Sequence, residues 1–379
     1  MEFVFSPEQE ELRASLRKFL EARSPETEVR RVMETEPGYD PTVWTVLTAE
    51  LGLTALAIPE EYGGLGYGFL EVSIALEEMG RALLCAPYLS SCLAATALVR
   101  SGDERAQADL LPGIAAGTTL ATLAYMETPH DWAGRNPSTR ARRVRDSYEL
   151  DGRKRYVLDG AIAEVALVLA ATEDGPGLFA VETAAEGVSR STSPTMDLTR
   201  RLTEMTFDRA PARLIGGAGE AMATLSATLD VAAAALAAEQ VGGAQRVLEM
   251  SVEYAKMRVQ FGRPIGSFQA IKHKCADMFL AVESARAAAH HAAWSAVDDP
   301  AAFPVAASLA KAHCSTAFAT AAAENIQIHG GIGFTWEHPA HLYFKRAKSG
   351  ELLFGDPAYH RDLIAQRLGV ATTTAVDHG

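Results

Sequence analysis

The chain has 379 residues, of which 48% are hydrophobic and 22% charged, and its formal net charge is −13. A chain of this length can bury a large core, and it predicts two or three structural units. The acidic balance argues against a nucleic-acid surface, since phosphate binding needs clustered lysine and arginine.

Residues 1–117 are predicted to form an N-terminal α-helical domain. Ser6 stands at the N-cap position of a first helix and Pro7 at its first position, and acids follow in the first turn. A loop between later helices is enforced by Pro59 and the pair Gly63-Gly64. The further helices are predicted at 41–51, 69–82, 88–100 and 104–116.

Residues 118–216 are predicted to form a small antiparallel β-barrel or sandwich domain. Short β-rich runs such as AEVALVLAAT and GLFAVE are broken there by turn residues. Asp151-Gly152 lies between two apolar runs, and this dipeptide predicts a hairpin turn. The basic run RARRVRD (140–146) is interpreted as a solvated strand edge.

Residues 217–371 are predicted to form a C-terminal four-helix bundle, which makes the fold class α+β. The segment is rich in alanine, and small side chains allow long helices to pack closely. One of these helices ends in QIHGGIGF, where Gly330 and Gly331 favour either a glycine cap or a close approach of the backbone to a ligand. The last residues, 372–379, are predicted to be a disordered tail.

The first residues are not expected to form a secretion signal, because acids stand where such a signal needs bases and an apolar core. No apolar run approaches the ~20 residues that span a bilayer. The four cysteines show neither CxxC spacing nor histidines at metal-ligand intervals, so no metal site is expected. These features predict a cytoplasmic protein without a membrane span.

Two stretches, in this order of domains, resemble the acyl-CoA dehydrogenase family of flavoproteins. They are RVQFGRPIGSFQAIKHKCADM (258–278) and QIHGGIGF (327–334). The loop IPEEYGGLG and the phrase MDLTRRLTEMTFDRAPA fit the same family. The resemblance covers essentially the whole chain.

The resemblance implies FAD as cofactor and an acyl-CoA thioester as substrate, oxidised between Cα and Cβ. A carboxylate takes the weakly acidic α-proton, and the flavin takes the β-hydrogen as hydride. It further implies a tetramer, either a homotetramer or a mixed tetramer with a homologous subunit, and an electron-transfer flavoprotein as the re-oxidant.

In this family each flavin is held by two subunits, and the residues that act in trans on a neighbour's flavin are present. Arg258 matches the position that supplies charge to the pyrophosphate, and Gly330 and Gly331 match the close backbone approach. The whole trans set is Arg258, Phe261, Gln269, Gln327, Gly330 and Gly331.

The residues that hold the flavin ring in cis are altered. Where the family has TEPGAGSD the chain reads METPHDWAG (126–134), which keeps an acid and a proline but loses the small, flexible tail. Met126 and Thr128 of this stretch are candidates for binding the cofactor. Where the family has KxWITNA the chain reads KRYVLDGA, in which Tyr156 replaces the indole. Leu158 replaces a hydroxyl residue, and leucine cannot donate a hydrogen bond to a flavin edge.

The usual base is missing, and the catalytic residue is therefore unassigned. The glutamate expected late in the chain is Phe354, and at the alternative position on the first bundle helix stands Ala232. Glu239 lies two turns further along that helix, roughly 10 Å along the axis. It is a candidate base, although such a glutamate is more often the partner of an arginine. Asp230 is expected to be a cap or a salt-bridge partner.

Three hypotheses follow. The favoured one is a companion subunit that completes the FAD site of a related chain in trans, since the trans set is kept while the cis set is lost. The family includes such mixed tetramers in actinobacteria, acting on bulky substrates such as steroid side-chain thioesters. The alternatives are a self-sufficient homotetrameric acyl-CoA dehydrogenase with a non-standard base and a flavin-free acyl-CoA-binding or scaffold protein.

Overall fold

Helices at both ends of the chain enclose a central β-sheet in the computed structural model, which describes residues 5–145 and 147–370. The α+β order of helices, sheet and helices is the one that the sequence predicts. The tail predicted at 372–379 lies outside the described residues.

The N-terminal segment is helical, as predicted. The first helix begins with a capping box, in which the Ser6 hydroxyl accepts from the backbone of Gln9 and the Gln9 side chain accepts from the backbone of Ser6. The predicted helix 41–51 is α-helical only at its start and continues as one π-helical segment, Val46–Glu50. The helices are α1 (Pro7–Arg23), α2 (Glu26–Met33), α3 (Pro41–Thr45), α4 (Phe69–Arg81), α5 (Tyr88–Ser101) and α6 (Glu104–Ala115).

The central sheet closes on itself. Its strands are β1 (Ala121–Ala124), β2 (Arg140–Val144), β3 (Ser147–Leu158), β4 (Val165–Thr172), β5 (Gly175–Glu182), β6 (Val188–Thr192) and β7 (Leu202–Ile215). Closure follows because β5 pairs with both β4 and β7, while β3 joins β7 to β2 and β2 touches β4. The barrel is not wholly antiparallel as predicted, since β1 and β2 both pair with β4 in parallel.

The hairpin predicted at Asp151-Gly152 is wrong. Strand β3 runs straight through this dipeptide, with a register shift against β7 between Leu150 and Gly152. The chain reverses earlier, where Val144 pairs with Ser147. The glycine serves a bulge, because its φ is 147° and a Cβ there would lie 2.6 Å from the Cα of Thr139.

Long helices form the C-terminal bundle. They are α7 (Ala221–Met257), α8 (Gln269–Asp298), α9 (Phe303–His329), α10 (Ala340–Leu352) and α11 (Pro357–Arg367), with a two-stranded ribbon, β8 (Val259–Gln260) and β9 (Arg263–Pro264), between α7 and α8. Among the described helices, α7 alone is long and apolar enough to cross a bilayer. It packs against α4, α8 and α9, which is the position of a core helix.

Candidate functional site

The two motifs of the trans set meet at one end of the bundle. Because α7, α8 and α9 run alternately up and down, the end of α7, the start of α8 and the end of α9 lie together. The rings of Tyr254 on α7 and His329 on α9 are 4.3 Å apart, which confirms this placement. The helix topology therefore brings together two motifs that are far apart in the sequence.

The first motif forms an exposed ribbon. Arg258 ends α7, its side chain is exposed, and it makes no ion pair with the described residues. Phe261 is 91% exposed at the turn of the ribbon, with a left-handed φ of 53°. Arg263 stacks on Phe268, with its guanidinium carbon 4.2 Å from the ring centroid. An exposed cation beside an exposed aromatic ring is suited to an anionic, ring-bearing ligand.

The second motif presents bare backbone. A Cβ added to Gly330 or Gly331 would have no atom within 4 Å, so both glycines face open space. Gly330 also caps α9 with a φ of 63°, so the two roles that the sequence left open coexist in one residue. Gln327 is exposed one turn earlier. Burial lowers the pKa of His329, which favours the neutral ring where it packs between Tyr254 and His338.

The structure also brings the cis set together. The backbone N–H of Arg155 donates to the carbonyl oxygen of Met126 at 2.8 Å, which ties the end of β1 to the end of β3. Met126 is buried and Thr128 is exposed. Tyr156 is 36% exposed and has a left-handed φ of 57°. A left-handed backbone is strained in a residue as bulky as tyrosine.

A buried ion pair, which the sequence reasoning missed, joins the same two segments. Nζ of the fully buried Lys154 lies 2.6 Å from Oε1 of Glu127. Burial alone would raise the pKa of Glu127, but the Lys154 ammonium and hydrogen bonds from Ser138 and Thr139 hold it at about 2. The signal was available, since an acid and a lysine stand inside the two altered motifs. Both charges are used within the chain and are not presented to a ligand.

The two positions where the family has its base lie in a continuous apolar core. Phe354 is 6% exposed and Ala232 is fully buried, and both belong to the hydrophobic cluster that contains Met126 and Leu158. Phe354 has a left-handed φ of 61°, an unusual conformation for a bulky residue. No group at either position can accept a proton.

Glu239 lies in the interior as the centre of an ion-pair network. It accepts from Arg200 Nη2 at 2.6 Å and from Arg346 Nε at 2.9 Å. Burial would raise the pKa of Glu239, but the two guanidinium groups outweigh it and lower the pKa. A carboxylate held in this way is a weak proton acceptor, so the structure gives Glu239 the alternative role, that of an arginine partner. Asp230 accepts from Arg367 at 2.7 Å, which confirms it as a salt-bridge partner.

The cavities beside Glu239 and beside Phe354 are small, whereas a cavity of about 370 Å³ lies elsewhere, between the N-terminal helices and the bundle. The cavity beside Glu239, where the N-terminal helices, the sheet and the bundle meet, has a volume of about 30 Å³. That is enough for one or two waters. A second cavity of about 120 Å³ is lined by Phe354, Trp132 and Tyr359. Both are well below the ~300 Å³ at which ligand pockets begin.

Known protein families match both helical parts of the chain. Residues 6–118 match the acyl-CoA dehydrogenase N-terminal domain, and residues 219–369 match the acyl-CoA dehydrogenase C-terminal domain. The acyl-CoA dehydrogenase IpdE2 of Mycolicibacterium smegmatis is 37% identical over 352 residues, covering 93% of this chain and 96% of the relative.

Solved structures of similar chains extend the comparison. A variant of the Tcur3481-Tcur3483 steroid ACAD is 33% identical with a TM-score of 0.87, covering 96% of this chain and 98% of that one. The ChsE4-ChsE5 complex from Mycobacterium tuberculosis is 28% identical with a TM-score of 0.88, covering 98% of this chain and 100% of that one. Each carries a paired name, and the second is named as a complex.

Proposed function

The chain belongs to the acyl-CoA dehydrogenase family, the FAD-dependent dehydrogenases of acyl-CoA thioesters, and on that premise we propose that it is the companion subunit of a mixed assembly. It completes in trans an FAD site whose ring, base and substrate slot belong to a homologous chain. The reaction of the assembly is the α,β-dehydrogenation of an acyl-CoA thioester.

The proposal rests on one observation: the residues of the trans set are exposed, whereas the two positions of the base are buried. Arg258, Phe261 and Gly331 are exposed at the end of the bundle, where a neighbouring subunit can contact them. Phe354 and Ala232 are buried in an apolar core. General decay of an enzyme would affect both halves alike, whereas a subunit that serves another chain needs only the first half.

The residues of the trans set fit the dinucleotide end of FAD. Arg258 would pair with the pyrophosphate, because a guanidinium binds phosphate oxygens with two parallel hydrogen bonds. The open backbone at Gly330 and Gly331 would let a phosphate or ribose approach without meeting a Cβ. Gln269 and Gln327 would supply amide hydrogen bonds. Bound FAD supplies the hydride acceptor of the reaction.

The cis set does not fit the flavin ring. Leu158 cannot donate to it, Glu127 is committed to Lys154, and the cavity next to Phe354 is too small for the ring. The cavity beside Glu239 is too small for an acyl chain. We therefore assign the thioester to the partner's slot, and we assign Met126, Thr128 and Tyr156 no cofactor contact in this chain.

The similar structures suggest what the partner is. Two of them carry paired names, and one of the two is named as a steroid ACAD. We propose by analogy a mixed tetramer with a homologous subunit, a bulky thioester as substrate, and an electron-transfer flavoprotein as electron acceptor.

The absorption spectrum of the purified chain tests the proposal, first alone and then after co-expression with a family member that carries the base. The expected result is no flavin alone and about one flavin for each pair of chains in the complex. Flavin bound by the chain alone would instead indicate a self-sufficient enzyme. Absence of flavin in every complex would indicate a scaffold protein.

A further inference from the structure

A cluster of three aromatic rings joins α7, α9 and the segment before α10 at the end of the bundle. The imidazole of His329, the last residue of α9, is at its centre and is 5% exposed. The centroid of this ring lies 4.3 Å from that of Tyr254 on α7 and 4.2 Å from that of His338. At these distances the rings are in direct contact.

The ring cluster (Tyr254, His329 and His338) is attached to both motifs of the trans set. The carbonyl oxygen of Tyr254 accepts from the backbone N–H of Arg258 at 2.8 Å, at the end of α7. His329 directly precedes Gly330, and its Nδ1–H donates to the carbonyl oxygen of Asn325 at 2.8 Å, which orients the imidazole. The position of Arg258 relative to the glycines therefore depends on how these rings pack.

The segment after the glycine pair folds back onto His329. A Cβ at Gly333 would lie 2.8 Å from the Cβ of His329 and 2.8 Å from the carbonyl oxygen of Ile326. Further along this segment, Nδ1 of His338 accepts from the backbone N–H of Ala340 at 3.2 Å. Loss of the His329 ring is therefore expected to displace the segment that carries the glycines.

The two histidines of the ring cluster can pack closely because both favour the neutral form. Burial lowers the pKa of His329. Burial, together with nearby His329, His341 and Arg30, lowers the pKa of His338 to about 4. The two imidazoles are therefore in contact near neutral pH without the repulsion of two like charges.

We propose that His329 is a positioning residue for the FAD of the assembly. It acts through the ring cluster, which holds the end of α7 at Arg258 and the open backbone of Gly330 and Gly331 at the spacing that one dinucleotide needs. The inference rests on the companion-subunit proposal and adds to it a buried residue that supports the ligand contacts.

Removal of the central ring should leave the fold intact. One turn earlier, the Ser251 hydroxyl donates to Oδ1 of Asn325 at 2.8 Å, so α7 and α9 stay joined there. The apolar cluster that includes Val247 and Phe318 continues the contact between the two helices. A change at His329 is therefore expected to loosen only the last turn of each helix.

The test is the dissociation constant of FAD in the complex with a family member that carries the base, measured by flavin fluorescence for variants of the full chain. His329→Ala removes the central ring, and the dissociation constant is expected to rise about tenfold or more. His329→Phe keeps a ring without the hydrogen bond, and its complex is expected to stay within about threefold of the unchanged one. Tyr254→Leu removes the neighbouring ring, should act as His329→Ala does, and decides the question if His329→Ala fails to assemble.

The matched control is His360→Ala. His360 is also buried, at 3% exposed, and its Nε2 lies 3.1 Å from the carbonyl oxygen of Phe354, so it resembles His329 in burial and in its bond to the backbone. The control should lower the melting temperature and leave the affinity for FAD unchanged.

Three results would overturn the assignment of His329. They are an unchanged dissociation constant in His329→Ala, an equal rise in His360→Ala, and a rise in His329→Phe as large as that in His329→Ala, since the hydrogen bond and not the ring would then matter. Failure of the companion-subunit proposal would look different. The complex of the unchanged chain would then hold no flavin, whereas failure of the positioning role leaves flavin bound in that complex.

Discussion

Both carboxylate oxygens of Glu239 lie within hydrogen-bond distance of Nη2 of Arg200, at 2.8 and 2.6 Å. Arg346 donates to the same carboxylate, so a helix of the bundle is joined to the segment before β7 and to α10. A buried charge without its partner is costly, whereas the intact network contributes little net stability. Its effect is therefore to hold the β-sheet and the bundle in one arrangement.

Replacing Glu239 with Ala is expected to lower the free energy of unfolding by ~3–5 kcal/mol, because two buried guanidinium groups lose their carboxylate. Urea denaturation followed by circular dichroism measures this. Glu283→Ala, which removes a largely exposed partner of Arg286, is the control and should cost no more than ~1 kcal/mol.

The same site separates a structural role from catalysis. A Glu239→Gln variant that assembles with its partner should keep the dehydrogenase activity of the complex, since a carboxylate held by two guanidinium groups is too weak a proton acceptor to be the base. Loss of turnover at unchanged stability would restore Glu239 as the base.

Asp159 should make the protein more stable at acid pH than at neutral pH. Burial raises the pKa of this carboxyl from 3.8 to about 6, although Ser90 donates to it at 2.6 Å. A carboxyl whose pKa is higher in the folded state binds protons more tightly there. It stabilises the fold below its ordinary pKa, and this contribution is lost as the pH rises through about 6.

Asp159→Asn removes the titration and keeps an acceptor for Ser90. The variant is therefore expected to gain stability over the unchanged chain, by up to ~3 kcal/mol at about pH 8 and by less at about pH 5. Urea denaturation at the two pH values checks it, with Asp174→Asn on an exposed turn as control. A gain that is equal at both pH values would contradict the assignment.

Local signals in the sequence predict the helices well and the β-sheet less well. The Ser6 cap appears where the sequence places it, because a cap depends on residues three positions apart. Asp151-Gly152 has the same local chemistry in a hairpin and in a bulge, and the outcome depends on Thr139, which the dipeptide cannot reveal.

Some residues of the candidate site are likewise predictable from local sequence, and others are not. The exposure of Arg258 and of the glycines after α9 follows from motifs that are contiguous in sequence. The role of Glu239 depends on Arg200 and Arg346, which are 39 and 107 positions away. Such pairings are set by the packing of the units, so the sequence could only leave the two roles of Glu239 open.

The trans surface can be tested without disturbing the fold. Gly331→Val places its side chain in open space, so the melting temperature should not change. The same side chain would block the approach of a dinucleotide, and flavin retention by the complex should fall about tenfold or more. Arg258→Gln should act similarly through the lost charge. Arg209→Gln, an exposed arginine on the sheet, is the control and should leave flavin content unchanged.

Helices α4 and α7 cross in close contact at two glycines, Gly80 and Gly242. An alanine Cβ at Gly242 would lie 1.8 Å from the carbonyl oxygen of Glu77, and one at Gly80 would lie 2.0 Å from that of Glu239. Backbone atoms cannot rotate away, so the helices would have to separate and lose packing along their shared face.

Alanine is favoured over glycine within a helix by ~1 kcal/mol. A Gly→Ala substitution that raises stability therefore indicates helix propensity, and one that lowers stability indicates a packing clash. Gly242→Ala is expected to lower stability by ~1–3 kcal/mol despite that gain. Gly350→Ala in α10 is the matched control, because its Cβ would meet side-chain atoms and no backbone atom, those of Gln240 at 3.1 Å and Leu236 at 3.8 Å, and it should be neutral or stabilising. If thermal unfolding showed Gly242→Ala to be as stable as the unchanged chain, the close crossing of the two helices would be contradicted. The position of Glu239 on α7 relative to α4 would then be wrong as well.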